Sequence, residues 1–265
     1  MIHRNFLIIL VGLPSSGKST IAAILQQQME KRNDKFRIEI VDPDKIRNSL
    51  TPNKFDYKKE GLIRKKSLKK VKNGLRNGSI VISDDLNYYT SMRHDLKEIA
   101  EKYEKRFFIV HIATPLEKCI EWNKNRGLPI PQEVVQNIYE KFDLFNQYNW
   151  DKPLMTIDPS KTENLEKEVN NLINLIEGNL EKKAFGKHSK RKKSEQERYH
   201  EKVDKITRNL ITEISRYDEF RPFMKKISKM RKEFIKINKD RLFTDMQISE
   251  ELFKFIKKGL KSELS

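Results

Sequence analysis

Cysteine is almost missing. A single thiol, Cys119, stands in 265 residues. That excludes an intrachain disulfide and argues against a thiolate-built metal site. Long apolar runs are missing too. No stretch of about 18 apolar residues offers a membrane-spanning helix, and no secretory leader precedes the first strand, so the expectation is a cytoplasmic chain with no membrane partner. Apolar residues amount to 37%, barely more than the 35% that are charged, which implies a modest core under a heavily charged surface. Acidic residues are the scarcer sign, 38 Asp and Glu against 55 Lys and Arg, for a net charge of +17. An excess of that size points to a polyanionic partner.

What is present begins with Gly12-Leu13-Pro14-Ser15-Ser16-Gly17-Lys18-Ser19-Thr20, a G-x-x-x-x-G-K-S phosphate-binding loop. The motif is informative only between a strand and a helix. Phe6 to Val11 is a short apolar run suited to a buried parallel strand, and Ile21, Ile24, Leu25 and Met29 follow at helical spacing. Gly12 and Gly17 let the backbone curl so that its N–H groups face phosphate oxygens, with Pro14, Ser15, Ser16 and Thr20 completing the cradle. The helix N-terminus adds partial positive charge at the same point. Lys18 would reach the β- and γ-phosphates, and the Ser19 hydroxyl would ligate Mg²⁺. These residues predict ATP and Mg²⁺ as cofactors.

Further along, Phe36 to Asp42 alternates and reads as a second strand, running into Asp44 and Arg47 at the carboxyl end where α/β folds place ligand groups. Spaced three apart, the two share a helix face. The pair suits proton abstraction from a hydroxyl beside a neutralised phosphate, or simply a helix-start Asp with a surface Arg. Residues 57–76 form a Lys-rich helix whose default reading is a solvated face, with a nucleic-acid contact as the minority option. Ser79 to Asn87 is a strand ending in Asp84 and Asp85, of which one would hold Mg²⁺, and Ser91 could cap the helix that follows. His111, inside a fourth strand, reads as a satisfied core or semi-buried histidine and not a catalyst. A helix with Cys119 and Trp122 runs to Arg126 before Pro129 and Pro131 break it, and Leu154 to Asp158 is a fifth strand. Strands alternating with helices predict an α/β fold, a parallel sheet with helices on both faces.

Beyond about residue 179 the pattern changes. Residues 180–265 carry 25 basic against 14 acidic residues. We expect a P-loop domain over 1–179, a basic linker over 180–195 and a small all-helical basic domain over 196–265. Tyr199, Val203, Ile206, Leu210 and Ile214 share one stripe, and Phe223, Ile227, Met230, Phe234 and Ile237 another. Lys225, Lys226, Lys229, Arg231 and Lys232 would stay outside as a positive face, and Thr244 to Gln247 reads as a capping box before a last helix.

Taken together, the phosphate loop, Asp44-x-x-Arg47, Asp84-Asp85-Leu86-Asn87-Tyr88-Tyr89 with Ser91-Met92-Arg93, and Asn149-Trp150-Asp151-x-Pro153 resemble archaeal L-seryl-tRNA(Sec) kinase, with a weaker echo at Met230 to Phe234. A sister family, the Elongator-associated regulatory ATPases, shares these runs. The resemblance implies a P-loop kinase-type fold, phosphorylation of the seryl hydroxyl of seryl-tRNA(Sec), Asp44 as base, Arg47 as its support, Arg126 as a lid arginine and a C-terminal tRNA-binding domain. A homodimer is compatible with it. The kinase lid is usually R-x-x-x-R, but here Trp122 takes the first position, as in the lid of the sister family. A tRNA-dependent ATPase is therefore the alternative, followed by a kinase for a small hydroxylated metabolite.

Overall fold

The computed structural model describes residues 2–50, 59–145, 148–182, 195–238 and 241–261. The chain divides into two units, Met1–Lys187 and His188–Ser265. The basic linker expected over 180–195 falls largely on 183–194, outside the described residues.

In the first unit, five parallel strands take the order β2-β3-β1-β4-β5. They are β1 (Phe6–Gly12), β2 (Ile38–Val41), β3 (Ile80–Asp84), β4 (Arg106–Ile112) and β5 (Met155–Ile157). Around them lie α1 (Lys18–Arg32), α2 (Pro43–Leu50), α3 (Glu60–Arg76), α4 (Thr90–Lys102), α5 (Leu116–Asn125), α6 (Gln132–Lys141) and α7 (Leu165–Lys182). All seven residues of β1 are buried, as a central parallel strand requires. Its alternation splits the core in two. Phe6, Ile8 and Leu10 pack with Ile21, Leu25 and Met29 of α1 and Leu172, Ile173 and Ile176 of α7. Leu7, Ile9 and Val11 pack with Val71 and Leu75 of α3 and Leu96 and Ala100 of α4. Strand β1 lies between β3 and β4, so successive crossovers leave it in opposite directions, and the crevice at its carboxyl end is where such sheets bind ligands.

One local reading changes. Ser91 does not cap α4: the helix begins at Thr90, whose N–H is taken by Asp143 Oδ2 at 3.1 Å, a cap supplied from 53 residues away. His111 is half-buried among aromatic rings, in keeping with the expectation of a core or semi-buried histidine. Its ring centroid lies 4.8 Å from that of Phe145 and 5.8 Å from that of Phe142, and burial drives its pKa down to about 4, so it stays neutral. Cys119 is buried and its thiol is pushed up to about 11, which makes it inert packing.

The second unit comprises α8 (Glu195–Ile214), a 3-10 turn over Asp218–Phe223, α9 (Met224–Ile237) and α10 (Asp245–Leu260). Ile214, Phe220, Ile227, Met230, Phe234, Leu252, Ile256 and Leu260 form its core. The capping box is complete, since Thr244 Oγ1 accepts from the N–H of Gln247 and the Gln247 side chain accepts from the N–H of Thr244. Arg231 departs from the expected positive face. It is 6% exposed and donates to Asp204 of α8 at 2.5 Å, while Arg208 holds the other oxygen of that carboxylate at 3.0 Å. Lys226, Lys229 and Lys232 do remain outside. Ile237, assigned to the apolar stripe, is 60% exposed at the end of α9.

Candidate active site

The phosphate loop leaves β1 at Gly12, where a side chain could not fit: a Cβ there would lie 2.7 Å from the carbonyl oxygen of Ile112 and 2.9 Å from Ser16 Oγ. Gly17 enters α1 at φ 93°, a left-handed conformation that glycine adopts without strain. The first turn of α1 carries no acidic residue to quench its N-terminal charge. The loop is braced from its neighbours. Thr114 Oγ1 donates to the Ser16 carbonyl at 2.8 Å, the Gly12 N–H donates to the Leu86 carbonyl at 3.2 Å, and Asn87 Nδ2 donates to the Leu10 carbonyl at 2.8 Å.

Lys18 is 7% exposed and its ammonium donates to the carbonyls of Leu13 (2.6 Å) and Gly12 (3.2 Å). Burial lowers its pKa to about 8, against the opposing pull of Asp84, Asp85 and Asp44. Asp84 ends β3 with 6% exposure, and its carboxyl is raised by burial, an effect moderated by a hydrogen bond from Ser19 and by the charge of Lys18. The adjacent carboxylates therefore part company. Asp84 joins Ser19 at the loop. Asp85 accepts from Arg64 of α3 at 3.2 Å and from the Leu86 N–H at 2.7 Å. Among the described residues no cluster of three His, Cys, Asp or Glu could hold a metal on its own. One hydroxyl beside one carboxylate is nonetheless the oxygen donor set that Mg²⁺ uses when phosphates supply the rest.

On α2, Pro43 occupies the first turn and Asp42 Oδ1 accepts the Asp44 N–H at 2.8 Å. Asp42 thus caps the helix, which relieves Asp44 of that task. The Asp44 side chain is 77% exposed and ion-paired with Arg47. Arg47 is in turn held by a two-point bond to Glu60 of α3, at 2.8 and 2.9 Å, which raises its pKa further. With two carboxylates to satisfy, Arg47 orients Asp44 and ties α2 to α3. On the opposite wall, Arg126 donates to Ser15 Oγ at 2.6 Å, and Ser15 lies 3.4 Å from Asn123 Oδ1. Trp122 and Pro159 flank Gly17, at 3.8 and 3.5 Å from where its Cβ would be.

Sequence reasoning gave no role to Arg93, which holds the site together. It is fully buried, as is Asp151, and the two form a fork at 2.6 and 2.5 Å. The same guanidinium donates to the carbonyls of Asn87 (3.0 Å), Tyr88 (3.2 Å) and Asp143 (3.2 Å) and lies 4.7 Å from the Phe145 ring centroid. Asn87 has φ 45°, so the chain turns sharply there and sends its amide back to β1. The Asp-Asp-x-Asn-Tyr-Tyr run, through the carbonyls of Asn87 and Tyr88, and the Trp-Asp-x-Pro turn, through Asp151, therefore meet on the one buried guanidinium of Arg93.

The sequence matches the family described as chromatin associated protein KTI12 over residues 6–257. It is 32% identical over 262 residues to the L-seryl-tRNA(Sec) kinase of Methanococcus maripaludis, covering 96% of this chain and 100% of that protein. It is 30% identical over 162 residues to protein kti12 of Schizosaccharomyces pombe, covering 57% of this chain and 56% of that protein. Among solved structures, Chaetomium thermophilum Kti12 in complex with ADP-AlF3 is similar in fold, with a TM-score of 0.53 and 24% identity over 63% of this chain and 96% of that one.

Proposed function

The chain belongs to the KTI12 family, and from that premise we propose that it is the ATP- and Mg²⁺-dependent kinase that phosphorylates the seryl hydroxyl of seryl-tRNA(Sec). The observation that carries this reading is coverage. The family match spans both units, but between individual relatives the likeness to the seryl-tRNA(Sec) kinase runs through both, whereas that to protein kti12 of Schizosaccharomyces pombe takes in 57% of the chain.

The site's own residues support a phosphoryl transfer. The loop N–H groups and Lys18 would bind the triphosphate, and Ser19 and Asp84 would hold Mg²⁺, which would offset the charge on the phosphate oxygens. Asp44 is the base. It lies near enough to Lys18 and Asp84 to act on both electrostatically, and it opens toward solvent, where an acceptor hydroxyl can reach it. The seryl oxygen attacks the γ-phosphorus, its proton passes to Asp44, and the bond to the β-phosphate oxygen breaks. Arg126, held at the loop by Ser15, supplies charge where it develops during transfer. The helical unit, with Lys226, Lys229 and Lys232 exposed, binds the tRNA body through its phosphates.

Trp122 favours a second reading, a tRNA-dependent ATPase, because Glu121-Trp122-Asn123 replaces the first lid arginine of the kinases. One experiment separates the two. With γ-labelled ATP and seryl-tRNA(Sec), the kinase places label on the aminoacyl group. Label appearing only as free phosphate, released faster when tRNA is added, would overturn the kinase reading.

A further inference from the structure

The outer face of α3 carries Lys65, Lys66, Lys69, Lys70, Lys72 and Arg76, all exposed. Among the described residues none of the six has a carboxylate partner. Two exposed lysines on other helices do have one: Lys118 pairs with Glu121 and Lys254 with Glu251, both at 2.8 Å. Lys65, Lys69, Lys72 and Arg76 fall at steps of four, three and four, so they share one stripe about 16 Å long at 1.5 Å per residue. Like charges at this spacing each cost a helix a few tenths of a kcal/mol. The one acid of α3, Glu60, is spent on Arg47.

Beside the stripe runs a groove of about 410 Å³ along β2, the edge strand of the sheet. Lys70 and Asn73 of α3 line it, with Arg37 and with Lys45 of α2. Arg37 leans on Glu39 at 3.8 Å and is 82% exposed. Lys45 stands on α2, the short helix that also carries the proposed base, Asp44.

We infer that α3 and the β2 groove form a second RNA-binding surface, within the P-loop unit itself, that holds the sugar–phosphate backbone of the strand leading to Asp44. The chemistry favours RNA over an acidic protein. Protein interfaces are built on an apolar or aromatic centre and are depleted in lysine. Here the exposed face offers cations in a row, with Leu62 at one end as its only large apolar side chain. Phosphates need no such centre; they need evenly spaced cations and release counterions in return. Two amides line the groove: Gln26, which donates to the Ile38 carbonyl at 3.2 Å, and Asn73, of the kind that meets a 2′-hydroxyl.

This inference deepens the reading above and rests on it for the identity of the partner, so its test uses binding and not transfer. The full chain and its Lys65→Ala/Lys69→Ala/Lys72→Ala variant are titrated with an uncharged tRNA transcript from low to high salt. The expected result is at least about a tenfold loss of affinity at 0.1 M salt. The plot of log affinity against log salt should be shallower by about 2 to 3, from about 0.7–0.9 per phosphate contact. ATP affinity should be unchanged, and the triple Lys→Arg variant should keep both affinity and slope. Unchanged tRNA affinity and slope would overturn the inference. So would a ridge-dependent affinity for polyglutamate alone, which would mark an acidic-protein site. If tRNA binding depends on the ridge while no label reaches the seryl group, the surface stands and the kinase reading falls.

Discussion

Removing Asp151 should unfold the nucleotide site without touching a single group that contacts nucleotide. Asp151 and Arg93 are both fully buried and bonded at two points. Asp151→Ala leaves a guanidinium in the interior with no counter-charge, a loss that costs about 3–5 kcal/mol in other buried pairs. The upper part of that range is apt here. Arg93 cannot swing to water, because three backbone carbonyls and the Phe145 ring hold it from other sides. Domain stabilities are about 5–15 kcal/mol, so the variant loses a large part of its margin. The assay must report on one unit, since two units need not unfold together. Tryptophan emission does so, because both tryptophans, Trp122 and Trp150, lie in the first. With a urea slope of about 2 kcal/mol per M, a loss of about 4–5 kcal/mol should lower the midpoint by about 2–2.5 M. The double variant Arg93→Met/Asp151→Leu, which removes both charges, should recover part of the loss. A midpoint shift below about 0.5 M for Asp151→Ala, or a double variant worse than the single, would refute the account.

Lys18 should make nucleotide binding pH-dependent. With its folded pKa near 8 against 10.5 ordinarily, the folded chain binds fewer protons than the unfolded one between those values, so this group makes stability rise with pH across that window. Phosphate beside the ammonium restores the proton, so ATP binding at pH 8.5 should take up more than about half a proton, and at pH 7 almost none. Calorimetry in two buffers of different ionisation heat measures this, and zero uptake at pH 8.5 would show that Lys18 is not the group at the phosphates. The split between the two carboxylates gives a further test: Asp84→Asn should raise the Mg²⁺ concentration for half-maximal turnover at least about tenfold, while Asp85→Asn should leave it unchanged and loosen Arg64. The opposite order in a Mg²⁺ titration would reassign the metal to Asp85.

What could be read in the sequence was what is local. The phosphate loop, the strand before it and the helix after it depend on neighbours a few residues apart, so glycine spacing and apolar periodicity sufficed. The capping box at Thr244 was legible for the same reason. Contacts across the chain were not. Arg93 and Asp151 are 58 residues apart, and nothing in Ser-Met-Arg marks its arginine as buried. Arg231 sits in a lysine-rich run and looks like a surface charge. It turns inward because Asp204, 27 residues earlier on α8, is only 9% exposed and needs a cation. The different surroundings of Asp84 and Asp85 likewise come from partners on α1 and α3. In each case the deciding partner is a charged group that local pattern cannot locate.

On the proposed reading, Asp44 bears on how such a site would choose between a hydroxyl and water. Asp42 caps α2 and Arg47 is committed to Glu60, so Asp44 is the acid on that helix with its carboxylate turned outward. A carboxylate so placed would orient a water as readily as a seryl hydroxyl. Discrimination therefore cannot come from the base or from the phosphate loop, which both chemistries use in the same way. It has to come from what fills the space in front of Asp44. A bound RNA end excludes water, and it brings binding energy from phosphates far from the reacting atoms. On this reading the exposed cations of α3 and of the helical unit take part in the choice of acceptor: they hold the strand whose end displaces water. A chain that bound tRNA without seating its 3′ end at Asp44 would hydrolyse ATP with the same loop, the same metal donors and the same base.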